Sequence, residues 1–162
     1  MSFKFEALEK RHNRSSFSCG DSALDRYFHT QVTQDVRRYI TSCFVAISEN
    51  TIAGFYTLSS ASIPVIDLPK DITKRLPRYP VLPAIKIGRL AVDLNFQGQG
   101  LGSILLFDSM QRAVRSETAG FTLLVNAKNQ RAVSFYKHHG FEILESDPKT
   151  LFLPLATAKK LI

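Results

Sequence analysis

Residues 85–113 read IKIGRLAVDLNFQGQGLGSILLFDSMQRA, and this stretch decides the fold. It begins with the apolar composition of a buried strand, and apolar side chains at helical spacing predict a helix over 101–117. Three alternating glycines, Gly98, Gly100 and Gly102, stand between the strand and the helix. Glycine lacks a Cβ atom, so the backbone can approach a ligand closely, and the first N–H groups of a helix attract anions. The turn therefore predicts a phosphate-binding site.

Two other phosphate-binding patterns do not fit this turn. The dinucleotide fingerprint spaces its glycines as G-x-G-x-x-G, whereas here they alternate at every second position. The P-loop needs a Gly-Lys-Ser/Thr ending, which does not follow Gly102. From the turn alone, a glycine-rich connection that binds nothing remains the alternative.

The rest of the chain shows both strand and helix patterns. Strands are predicted over 3–9, 42–47, 52–63, 85–93, 121–127, 141–146 and 150–155, and helices over 24–39, 71–76, 101–117 and 129–139. The second and third strands form an antiparallel hairpin. Asp21 and Asn129 are candidate helix N-caps, and Gly120 and Gly140 are placed to end helices. This order predicts one α+β (α/β-type) domain over 1–162, with helices on a mixed sheet.

The positive charge is concentrated in one segment. The net charge is +7, and residues 70–89 hold six Lys and Arg side chains against Asp71 alone, a net +5. Five prolines between positions 64 and 83 disfavour a long helix or a central strand there, so 64–83 is predicted as a surface excursion. From charge alone, this excursion is either a solvated loop or a surface for nucleic acid or another large anion.

The composition also limits where the protein acts and what it binds. No apolar run approaches the roughly 20 residues that span a membrane, and the first residues lack the apolar core of a signal peptide. We therefore expect a cytoplasmic protein with no membrane association. Cys19 and Cys43 lack metal-ligand spacing and are expected as free thiols, one or both buried. The four histidines form no metal-binding pattern and are expected at the surface, so no metal is expected.

Tyr136 lies two turns into the last predicted helix, which Asn129 begins. A tyrosine in an apolar helix usually packs in the core with its hydroxyl bonded, and that alternative stays open here. In a thioester site the same side chain would have a chemical use. A leaving thiolate, whose conjugate acid has a pKa of about 8.5, could take a proton from a phenol of pKa about 10.

Residues 89–113, RLAVDLNFQGQGLGSILLFDSMQRA, and residues 123–141, LLVNAKNQRAVSFYKHHGF, resemble the core of the GCN5-related N-acetyltransferases, the GNAT family. The first segment resembles the pyrophosphate-binding motif of that family, Gln/Arg-x-x-Gly-x-Gly/Ala, with Gln97, Gly100 and Gly102 in its places. The second resembles the closing strand and helix. The resemblance implies the GNAT fold, a mixed and mostly antiparallel sheet flanked by helices with splayed central strands. It also implies acetyl-CoA as the acetyl donor.

Other segments resemble a narrower group within this family, the acetyltransferase toxins of bacterial toxin–antitoxin pairs. These segments are FSCGDSALDRYF at 17–28, IAGFYTLSSASI at 52–63 and the proline-rich approach to IGRLAVD. The resemblance implies acetylation of the α-amino group of aminoacyl-tRNA, which blocks translation. It further implies neutralisation by a ribbon-helix-helix antitoxin, contact with operator DNA only through the antitoxin complex, and a homodimer.

The resemblance assigns roles to individual residues. Backbone groups of Leu90, Ala91 and Val92 would lie along the pantetheine arm of acetyl-CoA. The pyrophosphate would be surrounded by Gln97, Gly98, Gly100, Gly102 and Ser103. Asn129 and Phe135 would line the far side of the cofactor, and Tyr136 takes the position of the catalytic tyrosine. A tRNA ligand would use the basic residues Lys74, Arg75, Arg78, Lys86 and Arg89, which suit phosphate neutralisation.

The resulting hypothesis is that a neutral amine attacks the thioester while a backbone N–H near Val92 stabilises the oxyanion and Tyr136 protonates the thiolate. Two other functions stay open. A GNAT enzyme acting on a small amine or a protein amine has the same motifs and does not need the basic cluster. A binding module could hold CoA or an antitoxin without catalysis.

Overall fold

The computed structural model describes residues 2–162. Its strands are β1 (Lys4–Ala7), β2 (Ser42–Ser48), β3 (Thr51–Pro64), β4 (Val81–Val92), β5 (Thr122–Asn126), β6 (Glu142–Leu144) and β7 (Asp147–Pro154). Its helices are α1 (Ser22–Thr30), α2 (Val32–Arg37), α3 (Lys70–Thr73), α4 (Leu101–Arg115), α5 (Gln130–His138) and α6 (Leu155–Leu161). The strand order is β1-β2-β3-β4-β5-β7-β6. The predicted fold class, a mixed and mostly antiparallel sheet with helices, is confirmed.

Contacts between residues divide the chain into two compact units, each made of two segments. The first unit comprises Met1–Ser59 and Gly88–Ser109, and the second comprises Ser60–Ile87 and Met110–Ile162. The glycine turn and the start of α4 therefore belong to the first unit. The helix that carries Tyr136 belongs to the second.

In the first unit, the predicted hairpin is confirmed as β2 and β3. The two strands pair antiparallel from Ser42↔Leu58 to Ser48↔Thr51, and β1 pairs antiparallel with β2. The connecting residues Glu49 and Asn50 have φ angles of +48° and +65°. Positive φ at both central residues matches the twist of the strands, as in a type I′ turn.

Aromatic side chains fill the core beside this hairpin. Phe28 of α1 stacks on Phe55 of β3 with ring centroids 4.1 Å apart. Phe17 meets both rings edge-on, at 4.9 and 5.5 Å. All three side chains are almost fully buried, so they fix α1 and the preceding loop against β3. Cys43 is buried in the same core, and both cysteines are free, as predicted.

The second unit places a parallel strand pair beside a hairpin. β4 and β5 pair in parallel over Ala84–Ile87, opposite Thr122–Val125. β5 also pairs antiparallel with β7, which forms a hairpin with β6. β4 continues for five residues past Ile87, its last residue in register with β5. Those five residues include the three that the sequence assigned to the acetyl donor.

Besides shifts of a few residues at the ends of other elements, three features differ from the predictions. The helix predicted over 24–39 is two helices, α1 and α2, which meet at Gln31, where φ is −118°. Beside this junction the Thr30 hydroxyl donates to the Arg26 carbonyl, a bond that often bends helices. β4 begins at Val81 and includes Pro83, which is tolerated near the start of a strand. Helix α6, which follows β7 directly, was not predicted.

Candidate functional site

The glycine turn follows a single turn of 3-10 helix over Leu94–Phe96. Gly98 and Gly100 have φ angles of +78° and +79°, in the left-handed region that disfavours other residues. A Cβ atom added at either glycine would meet no heavy atom within 4 Å. The backbone conformation therefore requires these glycines, and the space in front of them is open to a ligand.

A buried carboxylate organises the entry to this turn. Asp93 is only 5% exposed, and its side chain accepts hydrogen bonds from the N–H groups of Asn95, at 2.9 Å, and Ser18, at 3.0 Å. The Leu94 N–H donates to the Ser18 carbonyl at 2.8 Å. Each of these polar groups is thus paired, which fixes the turn to the loop before α1.

The Gln97 side chain bonds to the protein itself. Its Nε2 donates to the carbonyl oxygen of Val92, at 2.9 Å, and to that of Cys19, at 3.0 Å. The amide nitrogen is therefore committed to holding the turn against the end of β4. In this structure Gln97 acts by positioning the backbone N–H groups that follow it.

Helix α4 begins immediately after Gly100, whose carbonyl accepts the Ile104 N–H at 3.2 Å. The N–H groups at 101 and 102 precede any partner inside the helix, so they are available to an anion at the turn, where the helix dipole favours negative charge. Gly102 and Ser103 occupy the second and third positions of the helix. The predicted cradle residues therefore come together in one segment.

Two contacts that the sequence reasoning missed seat α4 on β3. The hydroxyl of Tyr56, which is fully buried, donates to Asp108 Oδ2 at 2.5 Å. At Gly54, an added Cβ would lie 2.8 Å from Leu105 Cδ1 and 3.0 Å from the Ala91 carbonyl oxygen. A glycine inside a strand signals such a close approach, so Gly54 could have been recognised from the sequence. The Tyr56–Asp108 pair, 52 residues apart, left no local signal.

The end of β4 presents its backbone groups to alternate edges. The N–H of Asp93 donates to the Ala53 carbonyl on β3 at 2.8 Å. Because backbone groups of successive strand residues face opposite edges, Ala91 also faces β3, whereas Leu90 and Val92 face away from it. Of the three residues that the sequence assigned to the pantetheine arm, Leu90 and Val92 therefore direct their backbone away from β3, and on that side the Val92 carbonyl accepts the Gln97 side-chain amide.

In the second unit, Asn129 caps α5, as predicted. Its side-chain oxygen accepts the Ala132 N–H at 2.9 Å. Phe135 is partly buried and lies edge-on to Tyr136, with ring centroids 5.1 Å apart. The Phe141 ring also lies edge-on to Tyr136, with ring centroids 5.4 Å apart. These contacts fix the ring plane of Tyr136.

The Tyr136 hydroxyl differs from that of an ordinary core tyrosine, which is usually hydrogen-bonded within the protein. The residue is 7% exposed, and burial raises the pKa of its phenol. Within residues 2–162 its hydroxyl has no hydrogen-bond partner, although no fully sealed side-chain polar atom in that range is unpaired. The hydroxyl therefore keeps contact with solvent at the tip of a buried ring. A neutral, unpaired and accessible phenol can donate a proton.

The predicted RNA-binding residues fall into both units. Lys74, Arg75 and Arg78 are exposed after α3, and Lys86 is partly buried in β4, all within the second unit. Arg89 belongs to the first unit, where its guanidinium lies 3.5 Å from the centroid of the Tyr27 ring. The five residues predicted from their charge therefore form two sets, one in each unit.

No helix within residues 2–162 is long and apolar enough to cross a membrane. In the same range, no three His, Cys, Asp or Glu side chains are grouped so that they could hold a metal ion.

The chain is similar to a known protein family and to proteins of two bacteria. The profile of the acetyltransferase (GNAT) domain matches residues 40–143. The chain is 38% identical over 150 residues to the tRNA-acetylating toxin of Mycobacterium tuberculosis (strain ATCC 25618 / H37Rv), covering 91% of this chain and 89% of that protein. It is 30% identical over 163 residues to the probable toxin TacT of Sinorhizobium fredii (strain NBRC 101917 / NGR234), covering 94% and 90%.

Solved structures share the fold over nearly the whole chain. AtaT complexed with acetyl-methionyl-tRNAfMet superimposes with a TM-score of 0.91 at 28% identity, covering 99% of each chain. AtaTR bound with AcCoA gives 0.84 at 27%, covering 98% and 97%. A tyrosine-to-phenylalanine mutant of the AtaT toxin bound to the C-terminus of the antitoxin AtaR gives 0.83 at 26%, covering 99% and 98%. The AtaT–AtaR complex bound to DNA gives 0.79 at 26%, covering 98% of each.

Proposed function

The chain belongs to the GNAT acetyltransferase family, and we propose that it transfers an acetyl group from acetyl-CoA to the α-amino group of aminoacyl-tRNA. The observation that carries this proposal is the 38% identity to a tRNA-acetylating toxin over 91% of the chain. A comparison structure holds acetyl-methionyl-tRNA, the product expected of such a transfer. Acetylation of the amino group would block translation, and we place the activity in the cytoplasm.

The residues present fit acetyl-CoA as the acetyl donor. Gly98 and Gly100 leave open space beside the start of α4, where N–H groups can hold the pyrophosphate. The backbone of Leu90 and Val92 would hold the pantetheine arm, and Asn129 and Phe135 would line the far side. When bound, acetyl-CoA supplies an activated acetyl thioester.

We assign two roles in the transfer to groups of this chain. The Val92 N–H, on the edge of β4 away from β3, stabilises negative charge on the carbonyl oxygen as the amine attacks. Tyr136 donates its phenolic proton to the sulfur as the C–S bond breaks. The amine nitrogen loses a proton to water as the amide forms, and the phenol then regains a proton from solvent. An ordinary phenol, with a pKa of about 10, already holds its proton at neutral pH, and burial raises the pKa of Tyr136 further, so the acid is present whenever the amine is ready to react.

The acceptor assignment draws on charge as well as similarity. Lys74, Arg75 and Arg78 are exposed and close together in sequence, as expected for contacts with phosphates. A GNAT enzyme that acetylates a small amine has no use for them. We therefore assign these side chains, with Lys86 and Arg89, to the acceptor RNA.

We also propose the regulatory partners that the similarity suggests. An antitoxin of the ribbon-helix-helix class would neutralise the enzyme, and operator DNA would be contacted through that complex. The AtaT–AtaR structures, with and without DNA, support this assignment. That the enzyme is a homodimer, and that residues 1–162 form one domain, stay predictions. Light scattering tests the first, and a single cooperative unfolding transition tests the second.

Thiol release from acetyl-CoA tests the proposed activity. Charged tRNA should accelerate release, whereas uncharged tRNA and free amino acids should not. Release with small amines in place of charged tRNA would identify an ordinary GNAT enzyme. Binding of CoA without release in any of these reactions would identify a binding module.

A further inference from the structure

Tyr39 combines an exposed ring with a strained backbone. Its side chain is 96% exposed, and its φ angle is +59°, in the left-handed region. A bulky residue adopts this region at an energetic cost, and a ring in solvent recovers none of that cost by packing. This conformation ends α2, because Tyr39 follows the C-cap residue Arg38 at the position where helices commonly adopt it, and the ring is held out into solvent there.

The turn around Tyr39 is held rigidly. The Tyr39 N–H donates to the Val36 carbonyl at 3.1 Å, and the Ile40 N–H donates to the Asp35 carbonyl at 2.9 Å. The preceding Arg38 N–H donates to the Gln34 carbonyl at 3.0 Å. The first two of these bonds are those of a Schellman cap, and together with the third they end α2. The Tyr39 backbone is therefore held in place before any ligand arrives, which lowers the entropy lost on binding.

The side chains around this turn are mostly positive, and the one nearby carboxylate is already hydrogen-bonded. Arg37 and Arg38 precede Tyr39 and are exposed. Asp35 is the only acidic residue between Gln31 and Thr41, and its carboxylate already accepts hydrogen bonds from Gln31, at 3.1 Å, and Tyr27, at 2.8 Å.

Arg89 extends the same surface. Its guanidinium lies on the Tyr27 ring, whose hydroxyl is bonded to Asp35. Hydrogen bonds from Gln31 and Tyr27, with the positive charges of Arg89 and Arg38, lower the pKa of Asp35. The single carboxylate, that of Asp35, therefore interacts with Arg89 and Arg38 and leaves the charge of Arg37 without a partner within residues 2–162.

We propose that Arg37, Arg38 and Tyr39 form a binding site for the RNA part of the acceptor, with the Tyr39 ring stacked on an unpaired base and the arginines on phosphates. A displayed aromatic ring beside cationic side chains is how proteins bind single-stranded nucleic acid. This site rests on the proposed function and adds to it a binding surface in the first unit, apart from Lys74, Arg75 and Arg78. The positive charge favours RNA over a protein partner.

Variants of Tyr39 separate the ring from the backbone. Tyr39→Ala should raise the KM for aminoacyl-tRNA roughly 5- to 100-fold, the range expected when one stacked ring is removed, and leave the KM for acetyl-CoA unchanged. Tyr39→Phe keeps the ring and should restore the affinity. Tyr39→Gly should show the same loss as Tyr39→Ala while its melting temperature stays equal to that of the wild type or rises, because glycine accepts positive φ.

Variants of the arginines test the proposed pairing with phosphates. The double variant Arg37→Gln, Arg38→Gln should lower the slope of log affinity against log salt concentration by about 0.7 to 0.9 for each phosphate that is no longer neutralised. Lys159→Gln with Lys160→Gln, which removes the same charge from α6, is the matched control. Its slope should stay at the wild-type value.

Direct binding of aminoacyl-tRNA, measured beside acetylation, separates the possible failures. If the wild type acetylates aminoacyl-tRNA and Tyr39→Ala binds it equally well, this site is wrong and the proposed function stands. Loss of antitoxin binding in Tyr39→Ala, with RNA binding intact, would also overturn the site in favour of a protein surface. If the wild type neither binds nor acetylates aminoacyl-tRNA, both proposals fall.

Discussion

The side-chain amide of Gln97 donates a hydrogen bond to the carbonyl oxygen of Val92 over 2.9 Å, and so joins the glycine turn to the end of β4. The same nitrogen reaches the Cys19 carbonyl at 3.0 Å. The two parts of the proposed acetyl-CoA site that lie in the first unit, the turn and the strand, are thus held by one side chain. Gln97 is a positioning residue for both.

Replacing Gln97 should therefore weaken acetyl-CoA binding by loosening the turn. Gln97→Ala removes both bonds, and we expect the Kd for acetyl-CoA to rise about tenfold, equivalent to about 1.4 kcal/mol. Gln97→Glu should be worse, because it loses the donor and adds a negative charge beside the pyrophosphate. Isothermal titration with acetyl-CoA measures both Kd values. Equal affinities in wild type and Gln97→Ala would show that the turn holds its shape without this side chain.

The hydroxyl of Tyr56 should contribute measurably to stability. Tyr56→Phe leaves the Asp108 carboxylate without this donor, and a buried hydrogen bond to a charged group is worth about 1.5–3 kcal/mol. Urea unfolding measures the loss in free energy of unfolding. Tyr39→Phe, which removes an exposed hydroxyl, is the matched control and should change stability by less than about 0.5 kcal/mol.

Tyr136→Phe tests the proton donor. Loss of a general acid should lower kcat about 100-fold or more, with the KM for acetyl-CoA changed only slightly. The melting temperature should not fall, because the hydroxyl has no partner within residues 2–162 to lose. Tyr79→Phe, at an exposed position, controls for removal of a phenol. A well-folded Tyr136→Phe enzyme with wild-type kcat would exclude the acid role.

The pH dependence follows from the raised pKa of Tyr136. The acceptor amine must be neutral to attack, so kcat/KM should rise with pH through the amine pKa, about 8 for an ordinary α-amino group. Burial holds the pKa of Tyr136 above the usual phenol value of about 10, so no fall should occur below that pH. Rates of acetylated product formation, measured across this range of pH, test both the rise through the amine pKa and the absence of a fall below the phenol pKa. A decline in rate close to neutral pH would indicate a different acid.

Charge reversal tests the basic segment. The triple variant Lys74→Glu, Arg75→Glu, Arg78→Glu should raise the KM for aminoacyl-tRNA at least about tenfold and reduce its salt dependence, because these side chains no longer neutralise phosphates. Thiol release with a short aminoacyl oligonucleotide should change much less. Reversal of three other exposed lysines, Lys149, Lys159 and Lys160, gives a control of equal charge. An equal rise in the KM for aminoacyl-tRNA in both triple variants would show that only the net charge of the protein matters.

The sequence predicted best what depends on neighbouring residues. The β2–β3 hairpin needs only a turn that accepts positive φ, and Asp21 and Asn129 cap their helices through N–H groups two or three residues away. The glycine turn is equally local, since Gly98 and Gly100 adopt the conformation that only glycine takes easily.

What the sequence could not predict depends on residues far apart in the chain. Gln97 and Cys19 are 78 residues apart, and no pattern announces their bond. The expectation that the histidines lie at the surface was wrong for His12. Its side chain is 4% exposed, and its ring is bonded to Glu6 Oε1 at 2.8 Å and accepts the Glu9 N–H at 2.9 Å. Such pairing becomes visible only once β1 and the loop after it are placed.

The most direct test of the central claim is to locate the transferred acetyl group. Wild-type enzyme is incubated with isotopically labelled acetyl-CoA and total aminoacyl-tRNA, and the products are identified by mass spectrometry after nuclease digestion. We expect label on the α-amino group of the amino acid esterified to tRNA, and none on uncharged tRNA. Label confined to free small amines or protein amines, with aminoacyl-tRNA unmodified, would contradict it.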